Sequence, residues 1–187
     1  MKSILISIRP KWVEKIARGE KTIEVRKTAP KGIPFKAYIY CTEEKKQDDI
    51  ILAGAFGDRG KWNGHIIGEF ICDKVYNLID AFGGIMFADE NLNQLEPQLF
   101  RNMSCMTDEQ TADYLGNKDG YGWHISDLKI YDKPKELSEY WGRIKCLSEH
   151  TVECWNCFAK CVERNGNHYQ PITRPPQSWR YVEEIIK

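Results

Sequence analysis

Residues 19–26 read GEKTIEVR, and these eight positions carry most of the information on the architecture. Polar and apolar side chains alternate strictly over residues 22–26. Successive side chains of a strand point to opposite faces, so Ile23 and Val25 face the core and the three polar residues share the other face. We therefore expect a displayed polar face that joins a carboxylate and a guanidinium next to the amine of Lys21.

Apolar runs on both sides of this stretch predict further strands and helices. Residues 4–8 are typical of a buried strand, and Pro10 suits the first turn of a helix that Gly19 ends. A capping box of Thr107 and Gln110 predicts another helix, which Gly116 can end. Further strands are expected at residues 35–41, 50–56, 65–72, 121–132 and 177–182, and a short helix is expected at residues 134–141. The strand at 121–132 is expected to have an irregularity near Ser126 and Asp127.

About six strands at short spacing, with two or three helices between them, favour an α+β fold built as a small, partly closed β-barrel decorated by helices. A chain of 187 residues can form a core without disulfides or metals, and we expect a single domain over residues 1–187. Composition changes at about residues 77–119 and 142–170, which we interpret as insertions, the first of them partly helical.

The pattern G-x-K-x-x-E-x-R within residues 19–26 resembles the signature of ASCH domains. Pro10 and Trp12 at the start of the preceding helix, and the later strand at residues 67–70, are arranged as in that family. The resemblance implies a PUA-like pseudo-β-barrel of strands with helices at its ends, and an association with RNA. Residues 123–126 and 175–179 are also similar to ASCH domain-containing proteins carried by prophages.

A ligand cleft at this motif is the site that the residues and the resemblance predict together. Basic side chains bind phosphate, and aromatic rings stack on unpaired bases. The expected RNA- or nucleotide-binding residues are Arg9, Trp12, Lys21, Glu24, Arg26, Trp123, His124 and Trp179. Under the alternative interpretation, Glu24 forms only surface ion pairs and the aromatic residues belong to the core.

A hydrolase in the same cleft is the alternative function. One branch of the ASCH family resembles an amidohydrolase of acetylated cytidine, with a lysine and a threonine nucleophile in this strand. Lys21 matches the lysine, Glu24 replaces the threonine, and Thr22 is the nearest hydroxyl. A threonine needs an adjacent base, whereas Glu24 favours the charged, non-basic form of Lys21. Ribonuclease activity, associated with other ASCH proteins, would use Lys21, Arg26 and His124, so the catalytic candidates are Lys21, Thr22, Glu24 and His124.

Four of the seven cysteines suggest a structural zinc site. The spacing Cys154-x₂-Cys157-x₃-Cys161 can supply three thiolates, and Cys146 is the preferred fourth ligand among several neighbours. The alternative is that these cysteines pack as small apolar residues. The expected cofactor is therefore either none or one structural zinc ion.

The charge balance is neutral overall but uneven along the chain. Lysine plus arginine and aspartate plus glutamate both number 27, yet residues 1–36 carry a net charge of +7 and residues 37–119 a net charge of −8. A basic N-terminal unit is consistent with RNA or a nucleotide-like partner, and the acidic insertion allows a third function as a protein-interaction module. We expect no membrane span and no signal peptide, and hence a cytoplasmic location.

Overall fold

The computed structural model describes residues 1–43, 62–81, 84–88, 95–116, 118–144, 162–164 and 167–183, which form three helices and twelve strands. The helices are α1 (Pro10–Ala17), α2 (Pro97–Ser104) and α3 (Asp108–Leu115). The strands are β1 (Lys2–Ile8), β2 (Ile23–Arg26), β3 (Phe35–Cys41), β4 (Ile66–Cys72), β5 (Val75–Ala81), β6 (Gly84–Ala88), β7 (Gly120–His124), β8 (Ser126–Lys135), β9 (Trp141–Ile144), β10 (Val162–Arg164), β11 (Asn167–Pro171) and β12 (Trp179–Val182).

The strands form three sheets, and the described residues contain no closed barrel. The largest sheet has the order β12-β1-β3-β4-β8, in which β1 and β3 are parallel and the other neighbours are antiparallel. The second sheet has the order β2-β7-β5-β6, and the third has the order β10-β11-β9. The predicted α+β class is confirmed. The described strands outnumber the expected six because β5, β6 and β9 to β11 lie in or at the edges of the segments interpreted as insertions.

The N-terminal unit forms as its sequence predicts. Helix α1 begins at Pro10, buries Val13 and Ile16, and is followed by Gly19 at φ 72°. Glycine adopts this left-handed conformation without a steric penalty, so the chain turns directly into β2. Helix α3 has the expected capping box, formed by Thr107 with Gln110.

Strand β1 lies in the middle of the molecule and is buried on both faces. Ile4, Ile6 and Ile8 belong to the largest core cluster, together with Val13 and Ile16 of α1 and residues of β3 and β4. Leu5 faces the opposite side and packs with Tyr38, Tyr140 and Ile66. A strand covered on both faces needs a continuous apolar run, which is what residues 4–8 provide.

Two predicted elements differ from the structure. The strand expected at 121–132 is divided at Ile125, next to the irregularity expected near Ser126 and Asp127, so that β7 belongs to the second sheet and β8 to the first. The expected helix at 134–141 is wrong: β8 continues to Lys135, and only a 3₁₀ turn follows at Leu137–Glu139. Because β8 is an edge strand, it can contain Pro134 without losing a hydrogen bond that a central strand would need.

Several predictions concern residues outside the described ranges. The expected strand at 50–56 and the cysteines at 146, 154, 157 and 161 are in this group. The division into one domain with two insertions also stays a prediction. Of the helices that the structure describes, none has the length and hydropathy needed to cross a membrane.

Candidate functional site

Strand β2 has one apolar face and one polar face, in agreement with the alternation. Ile23 and Val25 pack in a cluster with Phe100 and Leu115, which belong to α2 and α3. The polar residues lie deeper than expected, because only 5% of Glu24 and 6% of Arg26 is exposed. The expectation of a displayed polar face is corrected, since residues distant in sequence cover that face.

The polar side of β2 borders a cavity of about 630 Å³. Its other walls come from the ends of β1 and β3, the start of α1, helix α3 and the segment before β12. Five of the predicted ligand-binding residues line it, namely Arg9, Trp12, Lys21, Glu24 and Arg26. The fold thus brings three basic side chains of the N-terminal unit, Arg9, Lys21 and Arg26, to one cavity.

A buried ion-pair network joins three of these side chains. Glu24 Oε1 lies 2.8 Å from Arg26 Nη2, and Glu24 Oε2 lies 3.5 Å from Lys21 Nζ. Each cation also donates to a backbone carbonyl: Lys21 Nζ to Ser104 O at 2.7 Å and Arg26 Nη2 to Ser7 O at 2.7 Å. The carboxylate of Glu24 therefore pairs with two buried cations. A buried arrangement of this kind is stable only where additional hydrogen bonds, such as those to the two backbone carbonyls, compensate for the loss of water.

Lys21 is the most buried of the three, with 1% of its surface exposed. Burial lowers its pKa from the ordinary value, and this outweighs the charge of Glu24, which raises the pKa. Glu24 thus favours the charged form of Lys21, as the sequence argument states, but the net direction is set by burial. The argument was incomplete. It omitted burial, which depends on the packing of α2 against residues 20–22 through Met103 and Ser104.

The lowered pKa predicts a pH dependence of stability. Between the folded pKa of Lys21 and the ordinary value of 10.5, the unfolded chain binds more protons than the folded chain. The free energy of unfolding then rises with pH in this window. Lys21→Arg stays charged, so the stability of the wild type relative to this variant should rise as the pH increases towards 10.5. Urea unfolding measures both slopes, and equal slopes would contradict the lowered pKa.

Arg26 has hydrogen-bonding capacity that the described residues leave unused. Its Nη1 lies 3.4 Å from Ser178 Oγ, and its buried Nε has no partner in the described part of the chain. Tyr114 hydrogen-bonds to the same guanidinium, and burial raises the pKa of this tyrosine, which stays a neutral hydroxyl. A buried donor without a partner costs about 1–3 kcal/mol, which favours a ligand that brings an acceptor to Arg26.

Trp12 and Arg9 lie at the start of α1, on the more accessible side of the cavity. Arg9 is exposed, and Trp12 is half-buried. The Nζ atoms of Lys11 and Lys21 lie 4.7 and 5.0 Å from the centroid of the Trp12 ring. Cations this close are attracted by the aromatic ring, so the electrostatic field around Trp12 is positive and suits an anionic ligand.

Three predicted residues lie away from the cavity. Trp123 is in the core with 0% exposure, and its ring contacts those of Phe35 and Trp179. Trp179 donates from Nε1 to Thr28 Oγ1 at 3.0 Å, and it is not among the described residues that line the cavity. His124 is also outside this set, and its Nδ1 lies 2.7 Å from Asp73 Oδ1.

The four catalytic candidates are also divided by the fold. Lys21 and Glu24 line the cavity, whereas Thr22 and His124 do not belong to the described lining. The backbone of Thr22 bonds to Met103 and Ile125, which fixes the start of β2. The structure therefore does not bring the only threonine of the motif to the cavity that holds its lysine.

Other lining residues were not predicted as ligand contacts. They come from β3 and its end, from α3 and the turn before it, and from the segment before β12: Tyr40, Thr42, Glu43, Met106, Tyr114, Pro175, Pro176 and Gln177. The Pro175-Pro176 pair was visible as a stiff segment next to a strand. Tyr114 gave no such signal, because its approach to Arg26 depends on the docking of α3.

The predicted zinc ligands Cys146, Cys154, Cys157 and Cys161 lie outside the described residues, so the zinc site stays a prediction. Within the described ranges, no group of three or more His, Cys, Asp and Glu side chains is placed to hold a metal ion. Cys41 and Cys72 are buried in the core, and burial raises the pKa of Cys72 to about 12.

No family model and no curated protein sequence matches this chain. The structure, however, is similar to crystal structures of an ASCH protein from Zymomonas mobilis. One of them has 16% sequence identity and a TM-score of 0.54, over 98% of this chain and 89% of that chain. Two single-residue variants of the same protein give identities of 15% and 14%, each with a TM-score of 0.54 and 98% coverage of this chain, and with 92% and 89% coverage of the variant chains.

The architecture is thus of the α+β class. Within that class, the fold is that of an ASCH domain. At this level of identity the likeness establishes the fold alone. The resemblance that residues 19–26 indicate is confirmed at the level of the fold, whereas the likeness to prophage-carried proteins stays a prediction.

Proposed function

We propose that this protein binds RNA or a nucleotide-like ligand in the cavity beside β2. The observation that carries the proposal is that aromatic and cationic side chains line one cavity, with Trp12, Tyr40 and Tyr114 beside Arg9 and Arg26. Its volume of about 630 Å³ is that of a small-ligand site. Aromatic faces suit bases and guanidinium groups suit phosphates, so the combination favours nucleotides over purely apolar ligands.

The contacts suggest a separate role for each side chain. Arg9 is exposed at the entrance and is available to a phosphate, and Trp12 offers a ring on which a base can stack. Arg26 has spare donors for an acceptor atom of the ligand. Lys21 is a weaker phosphate ligand than its sequence position suggests, because its amine is already bound to Ser104 and Glu24.

Arg9→Ala is expected to weaken the binding of a short, labelled, single-stranded RNA and to reduce its salt dependence. Removing one phosphate contact lowers the slope of log K against log salt by about one. Fluorescence anisotropy between about 50 and about 200 mM salt measures both effects. Arg9 is exposed, so the variant should fold normally.

Arg18→Ala is the matched control. Arg18 is an exposed arginine close to the end of the same helix, paired with Glu14 and Glu20, and it is not among the described residues lining the cavity. This variant should keep the affinity and salt slope of the wild type. If both variants lose affinity equally, the basic surface as a whole binds RNA and the cavity has no special role. If the wild type binds neither RNA nor nucleotides at low salt, the proposal fails.

Hydrolysis of RNA or a modified nucleoside in the same cavity is the second candidate. The lowered pKa of Lys21 favours it, because a base must lose its proton near neutral pH. The position of Thr22 away from the described lining counts against a threonine nucleophile. Incubating the protein with RNA and with acetylated cytidine tests it, and turnover that Lys21→Arg abolishes would establish an enzyme. If the chain instead bound a partner protein, with an affinity that did not change with salt, this would support the third function, a protein-interaction module.

A further inference from the structure

Lys21 is the only lysine among the described residues that line the cavity. Its amine is almost completely removed from water, yet it borders a space of about 630 Å³. A lysine that binds phosphate normally presents its ammonium group to solvent as a point charge. A desolvated lysine in the wall of a cavity is instead typical of an amine nucleophile, which is activated by desolvation and by a neighbouring cation. Arg26, which shares Glu24 with it, is that neighbouring cation.

Two further features support a nucleophilic role. Burial lowers the pKa of Lys21, which increases the fraction of neutral amine near neutral pH. The carboxylate of Glu24 lies 3.5 Å from Nζ, so it can accept a proton from the ammonium group and return it at a later step. Both features act on Lys21 Nζ, and neither is needed for simple binding of a nucleobase.

We propose that Lys21 forms a reversible imine with the aldehyde group of a phosphorylated, ring-opened sugar that enters the cavity. Arg9 and Arg26 provide guanidinium groups for the phosphate on the walls of the same cavity. The aldehyde can belong to a free pentose phosphate or to an abasic nucleotide within a strand. The second source rests on the proposed function, because it requires nucleic-acid binding, and the first does not.

The reaction balances without an oxidant or a metal. Glu24 takes a proton from the ammonium group, and the Nζ lone pair attacks the carbonyl carbon, so that a C–N bond forms and the C=O double bond becomes a C–O single bond. A proton moves from nitrogen to oxygen to give the carbinolamine. Glu24 then protonates the hydroxyl group, water leaves, and the C=N bond of the iminium forms. The iminium keeps its positive charge and one N–H group, and the carboxylate of Glu24 can accept a hydrogen bond from that N–H group.

Reductive trapping tests this proposal. The full chain is incubated with ribose 5-phosphate and cyanoborohydride near neutral pH, and the reduced adducts are mapped by peptide mass spectrometry. We expect Lys21 to be labelled more than Lys15, a lysine of α1 whose side chain is 41% exposed, by roughly tenfold for each unit by which burial lowers the pKa of Lys21. This enrichment should fall as pH rises, because exposed lysines then lose their protons too. Equal labelling of the two lysines would overturn the proposal.

Matched variants and probes complete the experiment. Lys21→Arg should remove the selective adduct, and Lys15→Arg should leave it. The adduct positions in the wild-type protein, mapped by mass spectrometry, decide whether Lys21 is selectively labelled even if Lys21→Arg folds poorly. Ribose without phosphate should label Lys21 less than ribose 5-phosphate if the arginines hold the phosphate. A parallel trap with an oligonucleotide that contains an abasic site distinguishes the two sources. RNA binding without any Lys21 adduct would defeat this inference and leave the proposed function standing.

Discussion

Glu24→Ala is expected to lower the free energy of unfolding by about 3–5 kcal/mol, the largest effect among the charged residues of the site. Glu24 lies between two buried cations, 2.8 Å from Arg26 and 3.5 Å from Lys21. Its removal leaves both charges in the protein interior without a counter-ion, and an uncompensated buried charge is among the most destabilising of changes. Urea denaturation at neutral pH measures the loss.

Glu20→Ala is the matched control for this prediction. Glu20 also pairs with two cations, Lys15 at 3.3 Å and Arg18 at 3.6 Å, but its side chain and both partners are exposed to solvent. Ion pairs of this kind contribute about 0–1 kcal/mol, so the control should change stability little. A loss for Glu24→Ala no larger than that for Glu20→Ala would contradict the buried network. The double variant Glu24→Ala, Lys21→Met should regain part of the loss, because one of the two unpaired cations is gone.

The local structure around β2 could be predicted from the sequence because its causes are local. Pro10, the position of Gly19 and the alternation of residues 22–26 determine a helix, a turn and a two-faced strand within one short segment. The resemblance of residues 19–26 to the ASCH signature then led to the correct fold. These signals act over a few residues, where backbone preference and side-chain periodicity decide the outcome.

Burial at the site could not be predicted, because it depends on contacts between distant segments. Lys21 is covered by the end of α2, through its bond to Ser104, and Arg26 reaches Ser178 before β12. Neither contact has a signal in the sequence near residue 20 or residue 26. The same limit explains why Tyr114 was missed and why the sign of the pKa shift of Lys21 was misjudged.

The aromatic residues show the same division between local and distant information. Composition identifies a supply of rings, but it cannot separate rings that fill the core from rings that line the cavity. The fold makes that separation: Trp12 lines the cavity at the start of α1, whereas Trp123 occupies the core between Phe35 and Trp179. Trp123 lies directly opposite Glu24 in the β2–β7 pair, so a position next to the site in the sheet does not imply access to the cavity.

Trp123→Ala is expected to lower the free energy of unfolding by about 3–5 kcal/mol, as is typical when a buried aromatic residue is truncated and leaves a cavity. Its ring lies 5.2 Å from Phe35 and 6.0 Å from Trp179 between centroids, with edge-on geometry in both pairs. Thermal and urea unfolding measure the loss. Trp12→Ala should cost less stability, because Trp12 is only half-buried, but should weaken RNA binding by about 1–3 kcal/mol if a base stacks on it.

Trp123→Phe separates a role in core packing from a role in ligand binding, and it replaces Trp123→Ala where that variant leaves too little folded protein. Phenylalanine keeps a ring in the core and removes the indole Nε1, which is buried and without a partner among the described residues. This variant should therefore fold with a smaller loss and bind RNA as the wild type does, since Trp123 has no surface for a base to contact. If Trp123→Phe loses as much affinity as Trp12→Ala while its unfolding curve stays close to that of the wild type, then Trp123 contacts the ligand. In that case the core around the Trp123 ring would have to open during ligand binding.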